Sequence, residues 1–299
     1  MDLPALANCV TSLSCIVTQS TSGLIIGMLL FLVAAGVSLI FGVLKVINFA
    51  HGSFYMLGAY LTLTVYGLSD SFVLAVVVAA LGVGVFGLLF ERLIISRVYG
   101  SQVLMQLLVC YGVILILDDL VKIIWGPEFK SLGMPAAFQQ PPYLLGGGVV
   151  PVYYLFLILL TLLIALALGL AITRTRFGKI VRAVAINPGM VSALGINTGY
   201  VYAGVFMLGG LLAGLAGALA APVRSIVSGM GLSVVVESFI VTVIGGMGSV
   251  AGALIGSLLI GLVRSFGTIG FPLFTEGLMF LFMTAVLIVK PSGLFGKDR

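Results

Sequence analysis

The chain has 299 residues, of which 61% are hydrophobic and 8% are charged, and its net charge is +5. Soluble domains carry roughly a quarter charged residues, so a soluble protein of this composition would lack the polar surface to cover its core. The composition therefore excludes a soluble globular protein. The basic excess is typical of loop cations that orient membrane helices, and we do not interpret it as a nucleic-acid surface.

The sequence predicts an all-α fold, a polytopic transmembrane helix bundle that forms one domain over residues 1–299. A spanning helix needs roughly 20 apolar residues. We predict about eight or nine membrane segments from these candidate stretches: 22–44, 52–68, 72–90, 102–124, 151–172, 199–221, 233–247, 250–266 and 273–290. Segments 233–247 and 250–266 are short and interrupted by glycine, so we expect a broken or re-entrant pair there.

Three cysteines occur, at Cys9, Cys15 and Cys110, and their spacing matches no metal site. Cys9 and Cys15 are near enough in sequence to pair if they face an oxidising compartment. Cys110 lies in an apolar span, where we expect inert packing. The first residues hold no basic stretch, so a cleaved signal peptide is not expected.

Polar residues interrupt the apolar sequence between the first two predicted spans. Lys45, Asn48 and His51 occupy an interval too short for a loop and too polar for a continuous span. Asn48 and His51 would share a helical face, and Asn48 or Ser53 is placed to cap the second helix. Helix breaks in membranes can meet polar ligands, so we name Asn48, His51, Ser53 and Tyr55 as candidate translocation-path residues. Alternatively, Asn48 and His51 only satisfy backbone groups where two helices join.

Two further patterns concern packing and the outer surface. Residues 125–150 are rich in proline and glycine and predict an external loop, which either contacts an external partner or is plain surface. The 40 glycines are concentrated within the spans and allow helices to approach closely. They indicate packing within the bundle, a dimer face or a moving gate.

A basic segment separates spans 151–172 and 199–221. It holds four cations within nine residues: Arg174, Arg176, Lys179 and Arg182. Residues 129–236 contain no acid. Placing segment 173–198 in the cytoplasm puts ten of the fourteen Lys and Arg residues on that side, as the positive-inside rule requires. The C-terminus, with Lys297 and Arg299, then also lies in the cytoplasm.

A short helix is predicted directly after the basic residues. Asn187 is a favourable N-cap, Pro188 suits the first helical position, and Gly195 suits the terminating position. The helix at 188–194 would carry an apolar stripe of Met190, Val191 and Leu194. Such a stripe fits a groove in another protein, a site on its own bundle or the lipid interface.

Five stretches, taken in order, carry a resemblance to a known family. They are GVLKVINFAHGSFYMLGAY at 42–60, Glu91–Arg92, FGKIVRAVAINPGMVSALGIN at 177–197, VIGGMGSVAGALIGSLLIG at 243–261 and KPSGLFG at 290–296. With them the chain resembles the LivH-type permeases of branched-chain amino acid ABC transporters. Family members often carry an acid in the turn at 186–189; this chain has none, so no salt bridge from that turn to an ATPase is expected.

The resemblance implies a permease subunit of an ATP-driven importer for branched-chain or related amino acids or small carboxylates. Segment 173–198 would be the cytoplasmic coupling loop that docks on the ATPase, through Arg182, Asn187, Pro188, Gly189, Met190, Val191, Leu194 and Gly195. The implied partners are a second homologous permease, two ATPases, an extracytoplasmic solute-binding protein and the lipid of the bacterial cytoplasmic (inner) membrane.

We expect no enzymatic activity in the chain itself. It contains no G-x-x-x-x-G-K-[ST] phosphate loop, so ATP and Mg would be bound by the partner ATPases, with no cofactor or metal here. The alternative is an ion-coupled secondary transporter that acts without ATPase subunits. It would need buried ionisable groups, for which the candidates are Asp118, Asp119, Glu237 and Glu276.

Overall fold

The computed structural model describes residues 3–296 of the chain and confirms the all-α bundle. The described residues form twelve α-helices: α1 Leu3–Thr11, α2 Leu13–Leu44, α3 His51–Ser69, α4 Phe72–Leu93, α5 Val103–Trp125, α6 Val152–Arg174, α7 Arg176–Ile186, α8 Pro188–Ala193, α9 Thr198–Ala220, α10 Met230–Gly245, α11 Val250–Gly270 and α12 Thr275–Val289. A hairpin of β1 (Tyr143–Leu145) and β2 (Gly148–Val150) lies between α5 and α6.

The predicted count of eight or nine membrane segments is not confirmed. Among the described residues, six helices are long and apolar enough to cross a membrane: Leu13–Leu44, Phe72–Val98, Val152–Arg174, Thr198–Ala220, Val250–Gly270 and Pro272–Val289. Of the predicted pair 233–247 and 250–266, the first is the 16-residue helix α10 and the second is part of the 21-residue helix α11. Only α10 is therefore a short segment.

Helix α2 is the centre of the bundle. It is 32 residues long, and its residues from Met28 to Ile40 are buried on every side, as expected for a helix that is apolar all round. Helices α3, α4, α9, α10 and α11 pack around it or against one another. In α5 only one stripe is buried (Gln106, Cys110, Ile114, Leu117 and Val121), so α5 lies at the periphery.

Glycine sets the spacing of two helix pairs in the core. A Cβ on Gly27 of α2 would lie 2.7 Å from the Ser257 carbonyl oxygen of α11. A Cβ on Gly87 of α4 would lie 2.8 Å from the Phe206 carbonyl oxygen of α9. Both distances are too short for a side chain, so these backbones touch because the residues are glycine. The glycine-rich pattern therefore serves packing within the chain at these two positions.

The predicted helix break between α2 and α3 is present, but its capping was predicted wrongly. Helix α2 ends at Leu44, its C-cap residue Lys45 has a left-handed backbone (φ 59°), and α3 begins at His51. The N-cap residue of α3 is Ala50, and no side chain caps the helix. Asn48 and Ser53 are instead buried, and the Asn48 Oδ1 lies 3.7 Å from the Cys110 Sγ, which donates to it.

A second break separates α10 from α11, and the C-terminal segment closes it. The backbone N–H groups of Leu294 and Phe295 donate to the carbonyls of Ile244 and Gly245, at 2.8 and 3.0 Å. These bonds satisfy carbonyls at the end of α10 that the helix itself leaves free. The stretches at 243–261 and 290–296 are thus in direct contact.

The two ends of α2 carry different structures. At its start, a Cys9–Cys15 disulfide joins α1 to α2, and the Ser14 hydroxyl donates to the Gly147 carbonyl at 2.8 Å. Gly147 belongs to the two-residue turn of the hairpin, whose two glycines both have positive φ. The external loop is therefore partly ordered as strands, which the analysis of proline and glycine content did not predict. Lys297 and Arg299, which carry the prediction for the C-terminus, lie outside the described residues.

Candidate functional site

Two regions hold the residues named from sequence. The first is the polar break, residues 45–55, where α2 gives way to α3. The second is the coupling segment, residues 173–198, which comprises α7, α8 and their connections. Helix α9 links the two regions, because it begins at the end of the coupling segment and packs against α3.

The structure places all four candidate path residues inside the protein. The exposed fraction is 3% for Asn48, 0% for His51, 2% for Ser53 and 3% for Tyr55. They lie in, or directly before, the first turns of α3. No open channel reaches them within the described residues in this conformation, so a path here requires the surrounding helices to move apart.

His51 is packed between two helices. A Cβ on Gly36 of α2 would lie 2.6 Å from the His51 Nε2, and a Cβ on Gly209 of α9 would lie 3.4 Å from its Cε1. The Asn48 Nδ2 has no hydrogen-bond partner among the described residues, and the His51 ring lies within reach of the Val33 backbone in α2. Buried polar atoms are nearly always satisfied by protein, water or a ligand. The polar break therefore has hydrogen-bonding capacity left for water or a polar solute.

Glu237 and Arg264 form an ion pair near the polar break, and the sequence did not lead us to predict this pairing. Glu237 of α10, which is 6% exposed, accepts a hydrogen bond from Arg264 of α11 in an ion pair. Helix α10 packs against α3, with Gly52 of α3 in contact with Gly231 of α10, so the pair lies on a helix that adjoins the polar break. The sequence did contain a signal for this pair, because an acid and a cation lie in two consecutive apolar segments and a charge within a span needs a partner.

The other acids considered for ion coupling lie in less enclosed places. Asp119 is exposed and pairs with Lys122 of the same helix at 3.0 Å. Asp118 is half-buried, and Glu276 is exposed in the first turn of α12. Glu237 alone among the four is buried, and one of its oxygens, Oε2, has no hydrogen-bond partner in the described chain.

The basic part of the coupling segment forms a helix of its own, which the sequence reasoning did not predict. Thr175 caps α7, since its hydroxyl accepts from the Gly178 backbone N–H at 3.1 Å. Gly178, Val181 and Val184 are buried, while Arg182 is exposed and donates to the Thr173 carbonyl at 3.3 Å. Helix α7 therefore packs one apolar face on the bundle and turns its cations outward.

The predicted caps of α8 are confirmed. The Asn187 side chain accepts from the Met190 N–H at 3.0 Å, and Pro188 occupies the first turn together with Gly189. Gly195 is left-handed (φ 81°), and its N–H donates to the Ser192 carbonyl at 2.9 Å. These local bonds fix α8 at Pro188–Ala193, one residue shorter than predicted.

The three residues of the predicted apolar stripe differ in exposure. Val191 is only 5% exposed and packs inward, so it does not contribute to the exposed surface of α8. Met190 is 66% exposed and Leu194 is 76% exposed. Ile186, at the end of α7, is 86% exposed. We call Ile186, Met190 and Leu194 the apolar tip of the coupling segment.

A further contact braces the start of α9. The Arg92 guanidinium lies over the Tyr200 ring, 4.8 Å from its centroid, as a cation–π contact. The Tyr99 hydroxyl donates to the Glu91 carboxylate at 2.6 Å, and burial together with this bond raises the pKa of Tyr99. The Glu91–Arg92 pair thus connects the end of α4 to the helix that follows the coupling segment.

Known proteins match the chain over almost its whole length. The family model for the permease component of the branched-chain amino acid transport system matches residues 20–289. The high-affinity branched-chain amino acid transport system permease protein BraD of Pseudomonas aeruginosa is 30% identical over 294 residues, 94% of this chain and 96% of the relative.

Two other relatives show the same breadth of match. The high-affinity branched-chain amino acid transport system permease protein LivH of Salmonella typhimurium is 28% identical over 301 residues, again 94% of this chain and 96% of the relative. The probable branched-chain amino acid transport permease protein LivH of Methanocaldococcus jannaschii is 30% identical over 291 residues, 90% of this chain and 89% of the relative. No solved structure shows significant similarity to the chain.

Proposed function

The chain belongs to the family of branched-chain amino acid transport permease components, and we propose that it is the membrane-spanning subunit of an ATP-driven importer. It is a multi-pass transport permease and not an enzyme. The proposed cargo is a branched-chain or related amino acid, or a small carboxylate. The proposed partners are a second permease subunit, two ATPases that bind ATP and Mg, and an extracytoplasmic solute-binding protein. The proposed setting is the bacterial inner membrane, with segment 173–198 in the cytoplasm and residues 1–299 as one domain.

The apolar tip is the observation that carries this proposal. Ile186, Met190 and Leu194 are exposed, on a segment whose helix α8 is held by its own caps. Exposed large apolar side chains on a short, ordered helix are typical of an anchor that enters a groove in a partner. We assign the tip to the ATPase subunit, with Arg182 at its edge and Asn187, Pro188, Gly189 and Gly195 shaping the helix.

Motion of the coupling segment has a short physical route to the polar break. Helix α8 packs against α7 and α9, and α9 packs along α3 and α4. The Gly87–Phe206 backbone contact couples α4 to α9 without a compressible side chain between them. His51 in turn lies beside Gly209 of α9. A displacement of α9 by the ATPase would therefore change the space around His51 and Asn48, which we propose as the path residues.

The coupling role is tested by charge introduction at the apolar tip. In the assembled importer, Met190→Asp with Leu194→Asp is expected to remove binding-protein-stimulated ATP hydrolysis while the purified permease keeps its melting temperature, since both side chains are exposed. The matched control is Ser192→Asp with Ala193→Asp, which adds the same charge to exposed positions of α8 and keeps the tip. We expect the control to retain most of the stimulation. Full stimulation in the tip variant would refute the docking role.

The ion-coupled alternative rests on one observation, the unpartnered Oε2 of the buried Glu237. A carboxylate with a free oxygen can take up a proton or a cation. Reconstitution of the chain alone into vesicles, followed by gradient-driven uptake of radiolabelled leucine, separates the two functions. Uptake that needs neither ATP nor partner subunits would favour the alternative; uptake only after ATPases and binding protein are added would favour the importer.

A further inference from the structure

A large groove lies on the side of the bundle next to the coupling segment. Its volume is about 950 Å³, and its walls come from α2, α6, α7, the turn between α10 and α11, and the start of α11. Small-molecule sites typically measure about 300–1,000 Å³. Most of the lining is aliphatic, including Leu39, Val43, Leu166 and Leu170. The groove is therefore large enough for a sizeable apolar ligand and unsuited to a polar solute.

The lining has a charged end. Lys45 and Arg182 both line the groove and both are exposed, and none of the lining residues is an acid. Neither cation forms an ion pair within residues 3–296. The Arg182 Nη2 bonds only a backbone carbonyl, that of Thr173. The guanidinium and the ammonium thus present donors to whatever occupies that end.

The length of the groove matches one leaflet of a membrane. Its lining runs along α2 from Phe31 to Lys45, a rise of about 20 Å at 1.5 Å per residue. Half of a bilayer's hydrocarbon core is about 15 Å thick. The cations stand at the end where α2 stops, beside the basic coupling segment, and the apolar walls extend from there into the core. The groove therefore has the layout of a phospholipid: headgroup at the surface and acyl chain along the helices.

We infer that this groove binds an anionic phospholipid from the leaflet on the side of the coupling segment, with its phosphate between Lys45 and Arg182 and its acyl chain against α6. Two cations without an acid select an anionic headgroup over a zwitterionic one. Such a lipid contacts α2, α7 and the α10–α11 turn at once, and so steadies the helix that carries Ile186. The groove shares Arg182 and Ile186 with the surface assigned above to the ATPase, so its test uses lipid binding and not ATP hydrolysis as the readout.

The test is a lipid titration of the purified full chain in an uncharged detergent. Melting temperature is followed as dioleoyl phosphatidylglycerol or dioleoyl phosphatidylcholine is added. The phosphatidylglycerol is expected to raise the melting temperature by several degrees more than phosphatidylcholine does. Lys45→Gln with Arg182→Gln should weaken the apparent phosphatidylglycerol affinity about thirtyfold, since each cation near an anionic headgroup contributes about fivefold.

Two further variants separate a site from general surface charge. Arg174→Gln with Arg176→Gln removes the same charge from exposed positions that do not line the groove, and should keep the phosphatidylglycerol effect. Ala165→Trp fills the groove without changing charge, and should abolish the effect while the lipid-free melting temperature shows that the protein is folded. The proposal is overturned if both charge variants lose the phosphatidylglycerol-dependent rise in melting temperature equally, or if neither loses it. It is also overturned if Ala165→Trp keeps the full rise.

The assembled importer supplies the last arm. If phosphatidylglycerol no longer stabilises the permease once its partner subunits are present, a protein surface covers the groove and the lipid assignment fails. A retained effect of phosphatidylglycerol, still sensitive to Lys45→Gln with Arg182→Gln, supports a lipid site in the working complex. Equal stabilisation by the two lipids would show that the groove does not select an anionic headgroup, and would overturn the proposal in that respect.

Discussion

The core bundle and the coupling segment obtain their order in opposite ways. In the core, α2 meets α11 and α4 meets α9 through backbone contacts that only glycine allows, and the residues around them are almost fully buried. In the coupling segment, Thr175, Asn187 and Gly195 close helix ends by local hydrogen bonds, and three large apolar residues remain exposed.

The difference indicates which region can move as a unit. Close-packed interiors are rigid and transmit displacement, whereas the ends of α8 are closed by hydrogen bonds within the coupling segment itself. Under the function proposed above, the coupling segment would be the lever arm and the core the body that it moves. Each of the following experiments perturbs one region and uses the other as its reference.

The largest effect is expected where a side chain is inserted between core backbones. Gly27→Leu must push α2 away from α11, because even a Cβ would lie 2.7 Å from the Ser257 carbonyl. We expect almost no folded protein in the membrane fraction, measured by fluorescence-detected size exclusion. Gly169→Leu in α6 is the control, because a Cβ there meets nothing within 4 Å. Comparable yields from the two variants would contradict the close α2–α11 packing.

The next effect is expected at the ion pair between the buried Glu237 and the half-buried Arg264. Glu237→Gln leaves Arg264 without its counter-ion and should lower the free energy of unfolding by about 3 kcal/mol. The double variant Glu237→Met with Arg264→Met removes both charges and should recover most of that loss. Asp119→Asn, in the exposed pair with Lys122, should cost less than about 1 kcal/mol. Thermal denaturation of the wild type and the three variants in one detergent gives the comparison. An equal loss of stability in Glu237→Gln and Asp119→Asn would show that Glu237 is solvated.

The polar break should respond through packing. Gly36→Ala places a Cβ 2.6 Å from the His51 Nε2 and should destabilise the bundle by about 2 kcal/mol. Adding His51→Ala removes this clash, so the double variant should regain part of the lost melting temperature; a Cβ on Gly36 would still lie 3.0 Å from the Gly209 carbonyl oxygen. His51→Ala alone is expected to assemble normally but to reduce uptake of radiolabelled substrate. Wild-type uptake in that variant would remove His51 from the path.

The sequence was informative where structure is decided locally. The caps at Asn187 and Gly195 follow from residue type and spacing, and α8 has them as predicted. The break near Asn48 was also found, because polar residues interrupt an apolar run. Asn48 failed as a cap because tertiary packing places its side chain beside Cys110, which sequence spacing does not reveal.

Features that depend on contacts between distant segments were not predicted. Val191 is buried against the bundle, and Glu237 pairs with Arg264 of the next helix. The Leu294 N–H bonds the end of α10 from the C-terminal segment. Each of these contacts is made between elements that are separate in sequence. The predicted count of eight or nine spans is not confirmed, for a related reason. A 16-residue helix such as α10 is stable inside a bundle because its terminal carbonyls bond to the C-terminal segment, and so it need not have the length of an independent span.

The smallest effect on stability is expected in the coupling segment, where it should nonetheless change coupling. Asn187→Ala removes the acceptor of the Met190 N–H, at a cost of about 1 kcal/mol to α8. Because α8 contributes little to the core, the global melting temperature should stay unchanged, while amide exchange at Met190 becomes faster. Asn187→Asp keeps a capping oxygen and should restore slow exchange. If the cap matters for force transfer, stimulated ATP hydrolysis should fall several-fold in Asn187→Ala and recover in Asn187→Asp. A fall in melting temperature with Asn187→Ala would instead show that α8 is part of the core, and the distinction between lever and body would not hold.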